Sequence, residues 1–294
     1  MIDNSHSNDL RNRLNTDSKC IYAEYFDMHS EPFGLTPDPE YLFLSNGHTS
    51  AIEWMTYAIE QYDMGLVIGE IGSGKTLLSR CLVDYLPEDK YRICLIINPQ
   101  CTPSAMLKEI YRQLFDKKPP YFKRAVLKCL QEGLVDLMIN NIFPVVIIDE
   151  AQSILGKPVF DEFRMLNNFQ TDKQNLISFI LLGQPELEKR LKRKAYRALL
   201  QRIRFSTTLK AFTPKETGLY LAHRMKVSGY KGLDVFSNES IQLIQELSGG
   251  YPRPINHLAS FSLMQVMSTN TKTVTVEVVK EAASEIIYLR DKVK

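Results

Sequence analysis

The sequence lacks the cysteine patterns that build disulfide frameworks and zinc clusters. Its five cysteines are scattered, odd in number and free of any C-x-x-C pair. Disulfide-stapled secreted folds use an even, regularly spaced set of cysteines, and structural zinc sites use closely spaced pairs. The cysteine content therefore argues against both classes and favours a reducing, cytoplasmic compartment.

Long apolar runs and a strong net charge are also missing. The longest apolar runs, such as residues 143–148, are far shorter than a membrane span, and residues 1–20 are too polar for a signal peptide. The formal net charge is only +2, so any nucleic-acid site would be a local basic patch. We expect a soluble, cytoplasmic protein without direct membrane insertion. Its 294 residues, 44% of them apolar, suffice for one large domain or two modest ones.

One segment carries a specific chemical signature, the pattern G-x-x-x-x-G-K-[ST] at residues 69–76. An apolar, strand-like run precedes it and a helix-like run from Leu77 follows, which is the context that a phosphate-binding P-loop requires. Backbone N–H groups of such a loop converge on phosphate oxygens, and the helix N-terminus adds partial positive charge. We expect Lys75 to reach the β- and γ-phosphates and Thr76 to bind Mg²⁺. The predicted nucleotide-binding segment is Gly69, Glu70, Ile71, Gly72, Ser73, Gly74, Lys75, Thr76 and Leu77.

Two carboxylates follow the most apolar strand of the sequence, residues 143–148. Parallel α/β sheets bind ligands at the carboxyl ends of their strands, so Asp149 and Glu150 are expected to face the P-loop. Asp149 suits a group that binds Mg²⁺ directly or through water, and Glu150 suits the base that orients the attacking water. An acidic cap on the following helix is the alternative reading of the same two residues.

Gln184 ends a further apolar strand, residues 177–182, in the way that Asp149 ends its own. A polar side chain at that position would bridge a γ-phosphate and a water molecule. A turn residue before Pro185 is an equally good interpretation.

The pattern of the chain changes at residue 213. Before it, five strands are expected, with a lead-in over 21–46 that is too rich in proline for a long helix and with a helix over 186–200. After it, Thr213-Pro214-Lys215-Glu216 resembles a capping box, and only helices follow, near 213–228, 237–248, 253–268 and 275–288. We therefore predict a flexible tail at 1–20, an α/β domain at 21–212 and a small helical domain at 213–294.

Several phrases make the chain resemble the AAA+ ATPases of the ExeA/GspA type, which are associated with type II secretion and pilus assembly and are related to TniB/TnsC-like transposition ATPases. The phrases are residues 31–39 (EPFGLTPDP), 41–45 (YLFLS) with His48, 69–76, 147–152 (IIDEAQ), 182–187 (LGQPEL), 201–203 (QRI) and 250–256 (GYPRPIN). The resemblance implies a P-loop NTPase αβα sandwich with a five-stranded, mostly parallel sheet and an all-α lid. It also implies hydrolysis of ATP with Mg²⁺ and self-assembly.

The resemblance also assigns roles to individual residues. Lys75 and Thr76 correspond to Walker A, Asp149 and Glu150 to Walker B, and Gln184 to sensor 1. Arg253 falls at the sensor 2 position on the helical lid, where a cation would contact the γ-phosphate. Arg202 falls where such proteins carry an arginine finger that completes the site of a neighbouring subunit, with Arg197 and Arg204 as competing candidates. A ring or filament of identical subunits follows from that assignment.

Three kinds of function remain open for this motor. The first is an ATP-driven helper that acts on a protein partner in a secretion or pilus machine. The second is a transposition regulator that binds duplex DNA through basic clusters at 189–204 and 117–128. The alternative interpretation of these clusters, which we favour, is a solvated helix face together with a subunit interface that uses arginines. The third is a nucleotide switch that hydrolyses slowly and signals by oligomerising. Secretion-type members commonly continue into a membrane segment and a peptidoglycan-binding region, and the sequence ends at Lys294 without them, which favours a stand-alone regulator.

Overall fold

The computed structural model describes residues 21–292, so the tail predicted at 1–20 lies outside the described residues. The described chain forms two compact units. The sheet unit comprises residues 44–210, and the helical unit comprises residues 21–43 together with 211–292. Within residues 21–292, none of the helices has the length and apolar character needed to cross a bilayer.

The sheet unit is built on five parallel strands in the order β2-β3-β4-β1-β5. The strands are β1 (Met64–Gly69), β2 (Tyr91–Ile96), β3 (Phe143–Ile148), β4 (Ser178–Gly183) and β5 (Ile203–Leu209). The strands predicted at residues 143–148 and 177–182 correspond to β3 and β4, whose bounds lie within one residue of the predicted ones. The expected sheet is confirmed, and its described pairs are all parallel rather than mostly so.

Helices cover both faces of this sheet because consecutive residues of its central strands are apolar, which makes both faces hydrophobic. Val146 and Ile148 face one core, whereas Val145 and Ile147 face the other. Strands that are buried on both faces in this way define an αβα sandwich. The helices of the sheet unit are α2 (Asn46–Glu60), α3 (Lys75–Tyr85), α4 (Pro103–Phe115), α5 (Lys123–Ile139), α6 (Lys157–Asn167), α7 (Pro185–Leu191) and α8 (Arg197–Leu200).

The single helix predicted over 186–200 is wrong, because α7 ends at Leu191 and a 3₁₀ turn at Lys194–Tyr196 separates it from α8. Arg190 Nε donates to the Tyr196 hydroxyl at 3.0 Å. Residues six positions apart lie on different sides of a continuous α-helix, so this contact requires the break. The segment contains no glycine or proline that would have signalled it.

The helical unit consists of α1 (Ile21–Tyr25), α9 (Pro214–Val227), α10 (Asn238–Ser248), α11 (Pro252–Ser268) and α12 (Val276–Glu285). The predicted capping box is confirmed, because the Thr213 side chain accepts from the Glu216 amide and the Glu216 side chain accepts from the Thr213 amide.

Residues 21–43 belong to the helical unit, which differs from the predicted division of the chain at residue 213. Tyr22, Phe26 and Phe33 lie in one apolar core with residues of α9, α10, α11 and α12. The Arg224 guanidinium donates to the Pro32 carbonyl and lies 4.4 Å from the centre of the Tyr41 ring. The aromatic lead-in is therefore part of the helical core rather than a leader of the α/β domain.

Replacing Phe33 by alanine is expected to destabilise the helical unit by about 3–5 kcal/mol, because it removes a buried ring and leaves a cavity. Phe33 is 1% exposed and packs edge-on against Phe236 at 6.1 Å between ring centres. The measurement is urea unfolding followed by circular dichroism. Leu35, which is 59% exposed, provides the control substitution Leu35→Ala, expected to change stability by less than about 0.5 kcal/mol. Equal effects of the two substitutions would contradict this account of the lead-in.

Candidate functional site

Three neighbouring strands bring the predicted site residues to one edge of the sheet. In the order β3-β4-β1, Ile148 pairs with Leu181 and Ile68 pairs with Gly183, so the carboxyl ends of these strands lie side by side. The P-loop follows β1, Asp149 and Glu150 follow β3, and Gln184 follows β4. The parallel register therefore gathers them at the edge where α/β proteins bind ligands.

The P-loop depends on glycine at two positions with left-handed backbone. Gly72 has φ 78° and Gly74 has φ 94°, values that side chains other than hydrogen tolerate poorly. A Cβ at Gly69 would lie 2.5 Å from Ser73 Oγ, so the start of the loop has no room for a side chain either. Helix α3 begins immediately after Gly74, and its first backbone N–H groups lack helical partners. The sequence thus forms a cradle of backbone donors at a helix N-terminus.

Lys75 extends its buried side chain back into this loop. Its ammonium Nζ donates to the Gly69 carbonyl at 2.7 Å and to the Glu70 carbonyl at 2.9 Å. The side chain is 4% exposed. A buried cation held by backbone carbonyls can exchange those partners for phosphate oxygens, which bind an ammonium more strongly because they carry charge.

Asp149 is fully buried at the end of β3. Its Oδ1 accepts from the Glu150 amide at 2.9 Å, whereas its Oδ2 has no hydrogen-bond partner among residues 21–292. Burial raises the pKa of the carboxyl, and the nearby Thr76 hydroxyl and Lys75 ammonium offset only part of that rise. A buried carboxylate oxygen without a partner is costly unless a ligand occupies it.

The donor set around Asp149 fits Mg²⁺. The Thr76 hydroxyl and the Asp149 carboxylate are hard oxygen ligands, which Mg²⁺ prefers. Residues 21–292 contain no cluster of three His, Cys, Asp or Glu side chains that would enclose an ion by themselves. An ion at this edge would take its remaining ligands from water and from phosphate oxygens, as Mg²⁺ in nucleotide sites does.

Glu150, Gln184 and Gln152 form a hydrogen-bonded network between β3 and β4. Glu150 Oε2 accepts from Gln184 Nε2 at 3.1 Å and also from Gln152 Nε2. The Gln152 amide oxygen in turn accepts from the Gln184 backbone N–H at 3.1 Å. Glu150 has left-handed backbone, φ 52°, which ends β3 sharply and is a strained conformation for this residue. The network fixes the direction of one carboxylate beside the P-loop edge.

Arg202 lies at the opposite edge of the sheet from these residues. It immediately precedes β5, whose far end, Leu209, pairs with Gly69. The length of the strand separates Arg202 from the P-loop by on the order of 20 Å. Arg202 therefore does not contact the P-loop of its own chain. Of its two competitors, Arg204 pairs with Asp63 at 2.9 Å, and Arg197 is exposed on α8.

Arg253 lies in the helical unit, where it is exposed in the first turn of α11. Its charge lowers the pKa of His257 one turn further along the helix, although burial of that imidazole is the larger cause. The sensor 2 role of Arg253 stays a prediction.

The basic cluster at 189–204 is partly used inside the fold, which leaves fewer of its cations available to a nucleic acid. Arg190 donates to the carbonyls of Gln152 and Ile154 and stacks on the Phe160 ring at 5.0 Å. Lys192 pairs with Glu188 at 2.6 Å. The acids that pair with this segment, Glu188 and Asp63, lie outside residues 189–204.

The basic cluster at 117–128 retains more uncompensated charge. Lys123 pairs with Glu162 and Lys128 lies 3.7 Å from Glu132, whereas Lys117, Lys118 and Arg124 are exposed. Tyr121 and Phe122 are 83% and 72% exposed in the same loop, and Lys108 lies over the Tyr121 ring at 5.2 Å. Exposed aromatic rings among cations distinguish this loop from an ordinary solvated helix face.

Sequence reasoning missed two residues that contact the site. Gln152 belongs to the phrase at 147–152 and stands two residues after Glu150, but the sequence assigns no role to its amide. His48 belongs to the phrases that carry the resemblance, and the sequence does not distinguish a role at the P-loop from simple packing. Its Nε2 lies 3.1 Å from the Ser73 carbonyl of the P-loop. Only the three-dimensional contact reveals its position, because 25 residues separate His48 from Ser73.

Comparison with known proteins agrees with this geometry. Residues 59–191 match the AAA domain family. The chain is 32% identical over 278 residues to general secretion pathway protein A of Aeromonas hydrophila, covering 92% of this chain and 49% of that protein. It thus spans about half the length of that relative. The predicted resemblance to GspA-like AAA+ proteins is confirmed.

Solved structures of AAA+ proteins share the fold at low sequence identity. The Drosophila ORC bound to DNA has a TM-score of 0.66 at 16% identity, covering 96% of this chain and 74% of that one. The Aeropyrum pernix ORC2 protein in its ADPNP–ADP complexes has a TM-score of 0.63 at 19% identity, covering 87% and 71%. These similarities establish the fold alone.

Proposed function

Because the chain is an AAA+ protein related to general secretion pathway protein A, we propose that it hydrolyses ATP with Mg²⁺ and self-assembles to remodel a partner complex. The observation that carries the proposal is the single edge at which the P-loop, Asp149 and the Glu150–Gln184 pair lie together. Nucleotide binding is a property of the family, whereas hydrolysis, assembly and the partner are parts of the proposal.

The loop residues bind and orient the phosphates. Backbone N–H groups of residues 69–76 and of the α3 N-terminus surround them, and Lys75 moves from the Gly69 and Glu70 carbonyls to their oxygens. Thr76 and Asp149 would hold Mg²⁺, which would supply positive charge against the β- and γ-phosphates. Occupation of the free Asp149 Oδ2 removes the cost of burying that oxygen unpaired.

Glu150 orients the attacking water and polarises it as a base. Gln152 and Gln184 hold its carboxylate by two amide donors, so little reorganisation is needed when the water binds. Gln184 also presents a polar side chain from the neighbouring strand, within reach of the water and the terminal phosphate. Residues at the ends of both β3 and β4 would therefore align the water.

A second copy of the chain supplies an arginine to the nucleotide site. Arg202 is the proposed arginine finger, and its place at the far edge of the sheet excludes a contact with its own P-loop. An interface in which the far edge of one copy meets the P-loop edge of the next is heterologous and generates a ring or a filament. Charge from such an arginine stabilises the transition state of phosphoryl transfer.

The partner is proposed to belong to a secretion or pilus-assembly machine. The support is the relative, whose name places it in the general secretion pathway, and the 92% of this chain that it matches. The match spans 49% of that relative, so the proposed role is that of the ATPase part alone.

Replacing Glu150 by glutamine is expected to slow ATP hydrolysis by about 10²–10⁴-fold with ATP binding retained, because the amide cannot act as a base. Steady-state phosphate release and equilibrium binding of ATP measure the two properties, and the oligomer is expected to accumulate in the variant on size-exclusion chromatography. Equal turnover in the variant would exclude Glu150 as the water-orienting group. Wild-type turnover as slow as that of the variant would favour the nucleotide-switch alternative.

Mixing two inactive variants tests whether Arg202 acts in trans. Lys75→Ala is expected to abolish ATP binding, and Arg202→Ala to retain binding and lose most turnover. In a mixed oligomer, some interfaces join the intact P-loop of an Arg202→Ala subunit to the intact Arg202 of a Lys75→Ala subunit. Turnover is therefore expected to rise above that of either variant alone. Arg197→Ala and Arg204→Ala in place of Arg202→Ala are the matched controls. Absence of recovery with Arg202→Ala, or recovery with a control only, would contradict the assignment.

The second candidate function, DNA-dependent regulation of transposition, is supported by the loop between α4 and α5. Lys117 and Lys118 are exposed there beside Tyr121 and Phe122, and Arg124 is exposed in the first turn of α5. Cations that lack acidic partners are available to phosphates, and exposed aromatic rings add stacking or wedge contacts with bases. The segment 189–204 supports this candidate less, because Arg190, Lys192 and Arg204 already have partners in the fold.

If duplex DNA is the partner, ATP-loaded protein is expected to bind it with a steep salt dependence. Lys117→Ala combined with Lys118→Ala should then reduce the slope of log K against log salt by about two. Lys192→Ala, which removes a lysine paired with Glu188, is the control and should change the slope less. Fluorescence anisotropy with labelled duplex, with and without ATP, makes the measurement. Lack of binding at low salt would reject this candidate.

A further inference from the structure

His48 is a buried residue of α2 that contacts the P-loop through its side chain. It is 4% exposed, and its two ring nitrogens lie 2.7 Å from Ser45 Oγ and 3.1 Å from the Ser73 carbonyl. Ser45 is the N-cap residue of α2, and its Oγ accepts from the His48 amide at 3.3 Å. A continuous chain of contacts therefore joins the P-loop to the first turn of α2.

One partner determines which atom of the imidazole carries a proton. A backbone carbonyl only accepts hydrogen bonds, so His48 Nε2 is protonated and donates a hydrogen bond to the Ser73 oxygen. His48 Nδ1 is hydrogen-bonded to Ser45 Oγ, and Ser45 Oγ also accepts from the His48 amide. Each of these polar atoms has a matched partner, as a buried polar network requires.

The contact fixes the orientation of one peptide group in the P-loop. In a planar trans peptide the C=O and the next N–H point in opposite directions. Holding the Ser73 carbonyl on His48 therefore directs the Gly74 N–H away from His48. Gly74 packs against the ring so closely that a Cβ there would lie 3.0 Å from Nε2, which leaves the peptide little freedom to rotate.

We propose that His48 is a positioning residue that holds the Ser73–Gly74 peptide in its phosphate-binding orientation, and that nucleotide binding is relayed through His48 and Ser45 to the start of α2. The proposal rests on the proposed function of the P-loop in binding ATP. His48 acts through the loop and contacts neither the phosphates nor the water. Because His48 contacts the loop and not the reacting atoms, we expect it to contribute to affinity more than to the chemical step.

Two substitutions at His48 separate the hydrogen bond from packing. His48→Phe keeps a ring of similar shape without a donor, and His48→Gln places an amide N–H near the position of Nε2. The expected result is an increase of about tenfold in the Kd for ATP–Mg²⁺ and in KM for His48→Phe, with kcat changed by less than about twofold. His48→Gln should recover most of the affinity. Binding by calorimetry and steady-state turnover of the full chain supply these values.

Met55→Ala is the matched control for stability. Met55 lies on the same helix and is 2% exposed in a core cluster. The proposal assigns it no contact with the P-loop. Met55→Ala should destabilise the protein to unfolding while leaving the Kd for ATP near the wild-type value. Loss of affinity in Met55→Ala equal to that in His48→Phe would overturn the proposal, since a general effect of helix destabilisation would then explain both.

Hydrogen exchange tests the relay to α2 directly. ATP should increase the protection of the His48 and Thr49 amides, which donate to Ser45 Oγ and to the Ser45 carbonyl. The increase should vanish in His48→Phe at saturating ATP and shrink in Ser45→Ala, which retains the ring. Wild-type affinity in His48→Phe, or undiminished protection, would overturn the proposal. Failure of the wild-type protein to bind ATP would instead overturn the proposed function.

Discussion

The alignment of parallel strands is the constraint on which the site depends. Three polar segments far apart in sequence reach one edge because β1, β4 and β3 run in the same direction with matched ends. The strands are apolar on both faces and buried, so a shift in register would expose core residues and is strongly disfavoured. The hydrophobic effect that stabilises the sheet thereby also fixes the distance between the P-loop and the Glu150 carboxylate. No residue of the site has to supply the energy of this alignment.

Local patterns predicted the fold well, because its main elements have local causes. A G-x-x-x-x-G-K-[ST] loop between a strand and a helix, and β-branched strands ending in polar residues, each have a physical meaning within about ten residues. What the sequence left undecided depends on contacts between distant segments. The break after Leu191 allows the Arg190–Tyr196 contact to form. The burial of Phe33 depends on its packing against residues of α9 to α12. The sequence leaves packing and a role at the P-loop equally open for His48, because its partner, the Ser73 carbonyl, belongs to another element.

The arginines and lysines show why composition alone misjudges a surface. Arg190 and Lys118 contribute equally to a count of charge, yet Arg190 holds the Gln152 and Ile154 carbonyls whereas Lys118 is exposed. Arg190 thus supports the backbone beside Glu150, and its guanidinium is already hydrogen-bonded within the fold. A cation becomes available to a partner when the fold gives it no acid and no carbonyl nearby. That property varies from one residue to the next inside a single basic run.

The helical unit is discontinuous in sequence, and this has a consequence for its synthesis. Its first segment, residues 21–43, leaves the ribosome before the whole of the sheet unit, and its core partners in α9 to α12 come last. At typical elongation rates of about 5–20 residues per second, Tyr22, Phe26 and Phe33 would wait roughly 10–50 s without their native neighbours. During that interval these aromatic side chains are available to chaperones or to another nascent chain. All five strands of the sheet unit are synthesised before α9 to α12. We therefore infer that the sheet unit folds before the helical unit, whose two segments flank it in the sequence.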